Sequence, residues 1–98
     1  HLLDKGQIDG ICCGNDLIAI GAIRALKEQG IKIPDEVKVI GFDNISISKY
    51  IDPPLTTIAQ PIYKIGQEAV KMLLSIINKE GINLNKVLNV ELVERGSC

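Results

Sequence analysis

A chain of 98 residues with a formal net charge of −1 can form one small domain, at the short end for a fold that mixes strands and helices. Apolar residues make up 46% of the sequence and charged residues 23%, which excludes a disordered chain. The scattered Lys and Arg residues form no basic footprint for DNA, RNA or an anionic membrane, and no apolar run is long enough to span a bilayer.

The first half of the chain alternates strand and helix. Residues 8–14 are predicted to form a strand covered on both faces, because residues 8–13 are nearly continuously apolar after Asp9. Residues 17–29 have helical periodicity, and residues 37–42 are β-branched and predict a second strand. Because a helix connects them, the two strands are predicted to be parallel, with a right-handed crossover. Asp16 precedes the helix, where its carboxylate is predicted to cap the first free amides.

The second half predicts a polar loop, a strand, a long helix and a last strand. Residues 44–54 form the loop and residues 55–59 the strand. The helix opens at Pro61 and has the most regular apolar spacing in the chain, and residues 87–93 form the last strand. Four strands and two helices cannot cover both faces of a mainly parallel sheet, so we expect part of a larger α/β domain.

The helix over residues 17–29 carries apolar side chains on two sides. Its predicted core face consists of Ile18, Ala19, Ala22, Ala25 and Leu26. Leu17 and Ile20 fall on the opposite face, beside Arg24. This placement predicts a subunit interface, with ordinary scattered surface hydrophobes as the alternative.

The cysteines predict thiols rather than disulfides. Cys12 and Cys13 are adjacent in an apolar segment and Cys98 is the last residue, so no spacing typical of a metal or redox site occurs. We expect buried, reduced thiols in a cytoplasmic protein. With His1 as the single histidine, the chain offers neither a histidine-based triad nor a His-ligated zinc site, and we expect no metal and no cofactor.

Asn15 and Asp43 are the candidate ligand-binding residues, because each follows the carboxyl end of a predicted strand. Neighbouring strands lie about 4.8 Å apart, and open α/β folds bind ligands at this rim of the sheet. A carboxylate accepts several hydrogen bonds and an amide both donates and accepts, which suits a neutral polyol or a base edge. The alternative is that both are ordinary turn and cap residues.

The sequence gives little support for catalysis. Residues 14–16 contain a single glycine and an acid where a phosphate would lie. No adjacent base accompanies Ser46 or Ser48, and nothing fixes Asp16 and Asp43 at a working separation. We therefore expect a binding protein rather than an enzyme, with an enzyme of flavodoxin-like fold as a rival.

An ordered series of short motifs resembles one known family. The motifs are Cys-Gly-Asn-Asp at 13–16, Ala-Ile-Gly-Ala at 19–22, Ile-Pro-Asp-Glu-Val at 33–37, Ile-Gly-Phe-Asp-Asn at 40–44, Pro-Leu-Thr-Thr-Ile at 54–58, Gln-Pro at 60–61, Gly66, and Glu-Arg-Gly-Ser at 94–97. Together they resemble the carboxyl-terminal part of the lactose-repressor/galactose-repressor family of bacterial transcription regulators. The likeness covers residues 8–97.

The resemblance implies a periplasmic-binding-protein-like core of two α/β subdomains with a small-molecule effector, usually a sugar, between them. It implies that Asn15, Asp43 and Gln60 contact the effector. It further implies that residues 1–59 belong to the carboxyl-terminal subdomain, residues 60–81 to a helix of the amino-terminal subdomain, and residues 82–98 to a returning strand and tail.

The resemblance also implies a homodimer, whose interface would include Leu17, Ile20, Arg24, Ser46 and Tyr50. The family's DNA-binding headpiece is absent from this sequence, so operator DNA would be bound only through a headpiece elsewhere in the protein. The expected function is effector binding and dimerisation in a cytoplasmic regulator, with no membrane partner. A sugar-binding protein of a transport system, which shares the fold, is the alternative.

Overall fold

The computed structural model describes residues 8–79 and 86–98. The chain divides into two compact units, the first formed by His1–Ala59 with Glu91–Cys98 and the second by Gln60–Val90. The predicted boundary near residue 81 lies outside the described residues.

A parallel strand–helix–strand unit forms the first half of the first unit. It consists of β1 (Gly10–Cys12), α1 (Asp16–Glu28) and β2 (Lys38–Ile40). The strands are parallel, with Gly10 opposite Lys38 and Cys12 opposite Ile40, as predicted. Both strands are shorter than predicted, but Cys13 still donates its backbone N–H to the carbonyl of Ile40 at 2.9 Å.

Beyond its pairing with β1, the segment that contains β2 also pairs with the segment that contains β3. Single parallel bridges join Ile40 to Thr56 and Asp43 to Ala59, at either end of β3 (Thr57–Ala59). The last strand, β4 (Glu91–Val93), is antiparallel to β3, with Glu91 opposite Ala59. The strand pairing is therefore mainly parallel with one antiparallel edge, which confirms the predicted fold class. Part of the predicted loop forms a short 3-10 helix, Ser46–Lys49.

The core lies between α1 and the strands. Its buried apolar side chains are Ala19, Ile23, Leu26, Val37, Val39 and Leu55. The predicted core face of α1 was partly wrong: Ile18 is 57% exposed, whereas Ile23 is buried. The buried face of α1 differs from the predicted one because Asp16, at the first position of the helix, is itself buried. Ala19, Ile23 and Leu26, which lie 3, 7 and 10 residues later, continue the same face.

The prediction of a β1 covered on both faces was wrong. Gly10 and Cys12 are exposed and Ile11 is half-buried, because the described part of this unit contains a single α-helix. The expectation of buried thiols therefore fails for Cys12, and also for Cys98, which is exposed. Cys13 is half-buried, and burial, together with the neighbouring Cys12, raises the pKa of its thiol.

The second unit contains α2 (Ile62–Ile77), which directly follows Pro61. Most of its large apolar side chains are exposed: Ile62, Tyr63, Ile65, Val70, Leu73, Leu74, Ile76 and Ile77. Its one buried residue is Ser75, whose hydroxyl donates to the carbonyl of Lys71 at 2.9 Å. Within the part of the chain that the structure describes, no helix is both long and apolar enough to cross a membrane.

Candidate functional site

Asn15 and Asp43 lie on adjacent segments at the carboxyl edge of the β1–β2 pair. The backbone N–H of Asp16 donates to the carbonyl of Phe42 at 2.9 Å, so the two segments remain paired beyond the strands. Both Asn15 and Asp43 are half-buried, which leaves part of each side chain accessible. The edge therefore presents an amide and a carboxylate on neighbouring segments.

The cap of α1 is Asn15, and the prediction that Asp16 caps the helix was wrong. Asn15 has an extended backbone, and its Oδ1 accepts the N–H of Ile18 at 2.8 Å. Asp16 already belongs to the helix, so its side chain cannot take the cap position. The Nδ2 group of Asn15, which carries two donors, takes no part in the cap.

The carboxylate of Asp16 is instead fully buried in a hydrogen-bond network. Its Oδ1 accepts the hydroxyl of Thr57 at 2.6 Å, and its Oδ2 accepts the N–H of Ile45 at 2.8 Å and the hydroxyl of Ser48. Burial raises the pKa of Asp16, but the bonds from Ser48, Thr57 and the backbones of Ile45 and Phe42 outweigh it, so this pKa lies below its usual value. Asp16 is thus a charged structural anchor that joins three segments.

Gly41 makes room for this anchor. A Cβ at position 41 would overlap Oδ1 of Asp16 and would lie 2.9 Å from Cδ2 of Leu55. Since real Cβ atoms do not come so close to neighbours, the end of β2 accepts the carboxylate only because residue 41 has no side chain.

Asp43 has a strained backbone. Its φ is +115°, and Asn44 follows at +59°. The φ of Asn44 lies in the left-handed helical region, which Asn tolerates, whereas the φ of Asp43 lies outside it. Holding a residue other than Gly in such a sparsely populated conformation costs about 1–3 kcal/mol. Backbone strain of this kind concentrates at binding and catalytic sites, which makes Asp43 the strongest candidate functional residue on this edge.

Arg95, in the tail after β4, binds the side chain of Asn44, the residue that follows Asp43. Its Nη2 donates to Oδ1 of Asn44 at 2.8 Å, and its Nη1 donates to the carbonyl of Leu55 at 2.9 Å. Its backbone N–H donates to Oγ1 of Thr56 at 2.8 Å. The tail therefore joins residues 55 and 56, which directly precede β3, to the loop that carries Asp43.

A second buried hydrogen-bond network is centred on Ser97. The hydroxyl of Ser97 donates to the carbonyl of Val39 at 2.6 Å and accepts the N–H of Thr56 at 2.8 Å. The backbone of Ser97 bonds Val39 and Pro54. This network joins the tail to β2 without contacting Asp43 or Asn44 through any of these bonds.

Asp16 is a weak base toward the two hydroxyls that it binds. The hydroxyls of Ser48 and Thr57 both donate to a buried carboxylate of low pKa, which is a poor base. Over residues 8–79 and 86–98, no group of three His, Cys, Asp or Glu side chains is placed to hold a metal ion. The half-buried side chains of Asn15 and Asp43 are therefore the candidate ligand contacts at this edge.

A family model described as a periplasmic binding protein-like domain matches residues 2–98. The chain belongs to this family. It is 48% identical to the HTH-type transcriptional regulator RegA of Clostridium acetobutylicum, over 99% of this chain and 29% of RegA. It thus spans less than a third of the length of that curated relative.

Solved structures agree with this assignment. One is a LacI family regulator from Enterococcus faecium with bound ribose, with a TM-score of 0.87 and 43% identity over 98% of this chain and 36% of that one. Another is the lac repressor dimer bound to operator and an anti-inducer, with a TM-score of 0.90 and 33% identity over 98% of this chain and 34% of that one. The resemblance to lactose-repressor-type regulators is confirmed.

Within this periplasmic binding protein-like domain, the structure brings together Asn15 and Asp43 but leaves their roles as predictions. Gln60 directly follows β3 and is the first residue of the second unit. Its contact with an effector stays a prediction as well.

The predicted interface residues lie on α1 and around the 3-10 helix. Leu17 is 69% and Tyr50 76% exposed, and Arg24 and Ser46 are also exposed. Ile20 is half-buried and lines, with Arg24 and Ile51, a groove of about 450 Å³ formed by α1 and residues 51–52. These side chains are available for an interface, and their role in one stays a prediction.

Sequence reasoning missed the residues that hold the periplasmic binding protein-like domain together around its rim. Ser48, Thr57, Arg95 and Ser97 had no assigned role, although three of the four belong to motifs that carried the family resemblance. The available signal was polarity inside buried segments: Thr56 and Thr57 occupy consecutive positions of a predicted strand, where at least one must face the interior. Their partners are 39 to 41 residues away and leave no local pattern.

Proposed function

We propose that the chain is the carboxyl-terminal part of the effector-binding and dimerisation core of a DNA-binding transcriptional regulator. The effector is a sugar or a related small metabolite. The observation that carries this proposal is the placement of Asn15 and the strained Asp43 on adjacent segments of one sheet edge. It is supported by the regulators among the relatives and by the ribose bound to the similar Enterococcus faecium protein.

In this proposal, Asp43 accepts hydrogen bonds from two hydroxyls of the effector, and Asn15 donates through Nδ2 while its Oδ1 stays with the helix cap. Gln60 is the third proposed effector contact. A neutral polyol suits this set, because the charge of Asp43 would repel an anionic effector.

The proposed domain assignment follows the division of the chain. The first unit is the carboxyl-terminal subdomain, and α2 belongs to the amino-terminal subdomain. The break between Ala59 and Gln60, and the return at Glu91, support this assignment. The exposed apolar side chains of α2 support it too, because they lack a packing partner in the described chain.

Regulation in this proposal is a coupling between effector and DNA. The effector stabilises one arrangement of two subdomains in each half of a dimer, and that arrangement changes the DNA affinity of headpieces outside this sequence. The effector can shift the balance only by the ratio of its affinities for the two arrangements. The chain is not an enzyme in this proposal, and the protein acts in the cytoplasm.

We expect Asp43→Ala to weaken effector binding by about a hundredfold, because two charge-assisted hydrogen bonds are lost at about 1.5 kcal/mol each. Titration calorimetry of the intact protein with D-ribose, D-xylulose and cellobiose measures this effect. Asp35→Ala, which removes an exposed carboxylate elsewhere in the first unit, is the matched control and should leave the affinity unchanged. Absence of binding of all three sugars to the unmodified protein would contradict a sugar effector, and unchanged binding after Asp43→Ala would contradict the site.

We expect Ile20→Glu to dissociate the dimer, because it replaces a half-buried apolar side chain of the proposed interface by a charged one. Analytical ultracentrifugation of the intact protein should show a monomer at concentrations where the unmodified protein is dimeric. Ala25→Glu adds the same charge at an exposed position of the same helix and should leave the dimer intact. An Ile20→Glu variant that sediments as a dimer would remove this face from the interface.

A further inference from the structure

We propose that Asp16 is the positioning residue that holds Asp43 in its binding conformation. This inference rests on the proposed function in treating Asp43 as the effector contact. Its structural part, that Asp16 fixes the backbone of residues 42–45, is independent of any ligand.

The turn over residues 42–45 is held at both ends by one residue. At its start, the carbonyl of Phe42 accepts the backbone N–H of Asp16 at 2.9 Å. At its end, the N–H of Ile45 donates to Oδ2 of Asp16 at 2.8 Å. Asp43 and Asn44, the two consecutive residues with positive φ, lie between these points. Asp16 therefore clamps the ends of the segment whose middle is strained.

The interior of the turn is held through Thr57. The hydroxyl of Thr57 donates its proton to Oδ1 of Asp16 at 2.6 Å, so the oxygen of Thr57 is left as an acceptor toward the N–H of Asn44 at 3.3 Å. Asp43 itself donates its N–H to the carbonyl of Ile58 at 2.9 Å. The orientation of the hydroxyl, and hence its contact with Asn44, depends on the carboxylate.

An ionised carboxylate is needed for this geometry. Asp16 receives three donors on two oxygens, and an ionised carboxylate consists of acceptors only. An amide at this position would turn one of the two oxygens into a donor, which would face either Thr57 or the pair Ile45 and Ser48. The same residue follows Asn15 directly, so Asp16 also fixes the segment that presents the second candidate contact.

The test compares Asp16→Asn and Thr57→Val with Ser97→Ala in the intact protein. Ser97→Ala is the matched control, because it also removes a buried hydroxyl with two hydrogen bonds but has none to residues 42–45. Hydrogen exchange in the absence of ligand is read at the amides of Asn44 and Ile45. We expect exchange there to rise at least tenfold beyond the change in global exchange for Asp16→Asn and Thr57→Val, and to follow global exchange for Ser97→Ala.

A thermodynamic cycle gives a second ligand-free readout. In the unmodified background, Asp43→Gly should unfold with an equilibrium constant about tenfold smaller than Asp43→Ala, because glycine accepts a φ of +115°. In the Asp16→Asn background, this ratio should fall toward one, because a released turn no longer imposes the strain. An unchanged ratio, together with unchanged exchange at residues 44 and 45, would overturn the proposal.

Sugar titration then separates this inference from the proposed function. If D-ribose, D-xylulose or cellobiose binds, Asp16→Asn and Thr57→Val should raise Kd at least tenfold, and Ser97→Ala less than twofold. Equal losses of affinity in all three variants would reduce Asp16 to a general stability role and overturn the inference. Failure of every sugar to bind contradicts the proposed effector and leaves the exchange and cycle results to decide the role of Asp16.

Discussion

Replacing Gly41 by Ala is expected to lower the free energy of unfolding by about 3 kcal/mol, at the upper end of what an extra methyl group costs in a packed site. The new Cβ would overlap the Asp16 carboxylate and press on Leu55, which is fully buried. Neither neighbour has space to retreat: Asp16 is held by hydrogen bonds to Thr57 and Ile45, and Leu55 belongs to the core. The substitution therefore combines overpacking with the loss of buried hydrogen bonds.

Urea denaturation of the intact protein measures this effect. Gly10→Ala is the matched control, because it adds a methyl group to the neighbouring strand, where the new Cβ would lie 3.6 Å from the carbonyl of Lys38, an ordinary contact. We expect the control to stay within about 0.5 kcal/mol of the unmodified protein. A Gly41→Ala variant as stable as Gly10→Ala would show that the carboxylate does not occupy the space beside residue 41.

Replacing Asp16 by Ala is expected to cost about 4 kcal/mol at pH 7, because three donors lose their acceptor in a site without solvent. Asp16→Asn should cost about half as much, since its remaining oxygen still accepts from one side. Asp35→Ala, at an exposed carboxylate, should be nearly neutral. Urea denaturation at pH 7 ranks the three variants.

The contribution of Asp16 should also depend on pH. Because its pKa is lowered on folding, the unfolded chain binds the proton more tightly, and the stabilisation is complete above the unfolded value of about 3.9. It is lost as the pH falls from there through the folded pKa. Unfolding curves between pH 7 and pH 3 should therefore show a steeper acid loss for the unmodified protein than for Asp16→Asn. Parallel losses would assign the acid sensitivity to other carboxylates.

The strand–helix–strand unit could be predicted from the sequence because its signals are local. The helical spacing after Asn15 and the β-branched residues 37–42 each identify an element, and the helix between them enforces a parallel pairing. The adjacency of Asn15 and Asp43 follows from that topology alone. The bounds of the strands were overestimated because apolar sequence continues beyond the hydrogen-bonded ladder.

The role of Asp16 could not be predicted in this way. Asn and Asp are both favourable caps, so the pair at 15 and 16 leaves the cap ambiguous by one residue. Which of the two residues caps the helix is decided by Ser48 and Thr57, which are 32 and 41 residues from Asp16. Their hydroxyls form a buried binding site for its carboxylate. The same buried residue rotates α1, which explains why Ile23 rather than Ile18 enters the core.

The pairing of Ala59 with Glu91 has a consequence for engineering. These residues are directly opposite in an antiparallel ladder, at the points where the chain leaves the first unit and re-enters it. A two-residue hairpin connection such as Asn-Gly is the usual link between such partners. Thirty-one residues can therefore be excised in principle and replaced by a tight turn, which converts a discontinuous unit into a contiguous miniature scaffold that retains Asn15, Asp16 and Asp43.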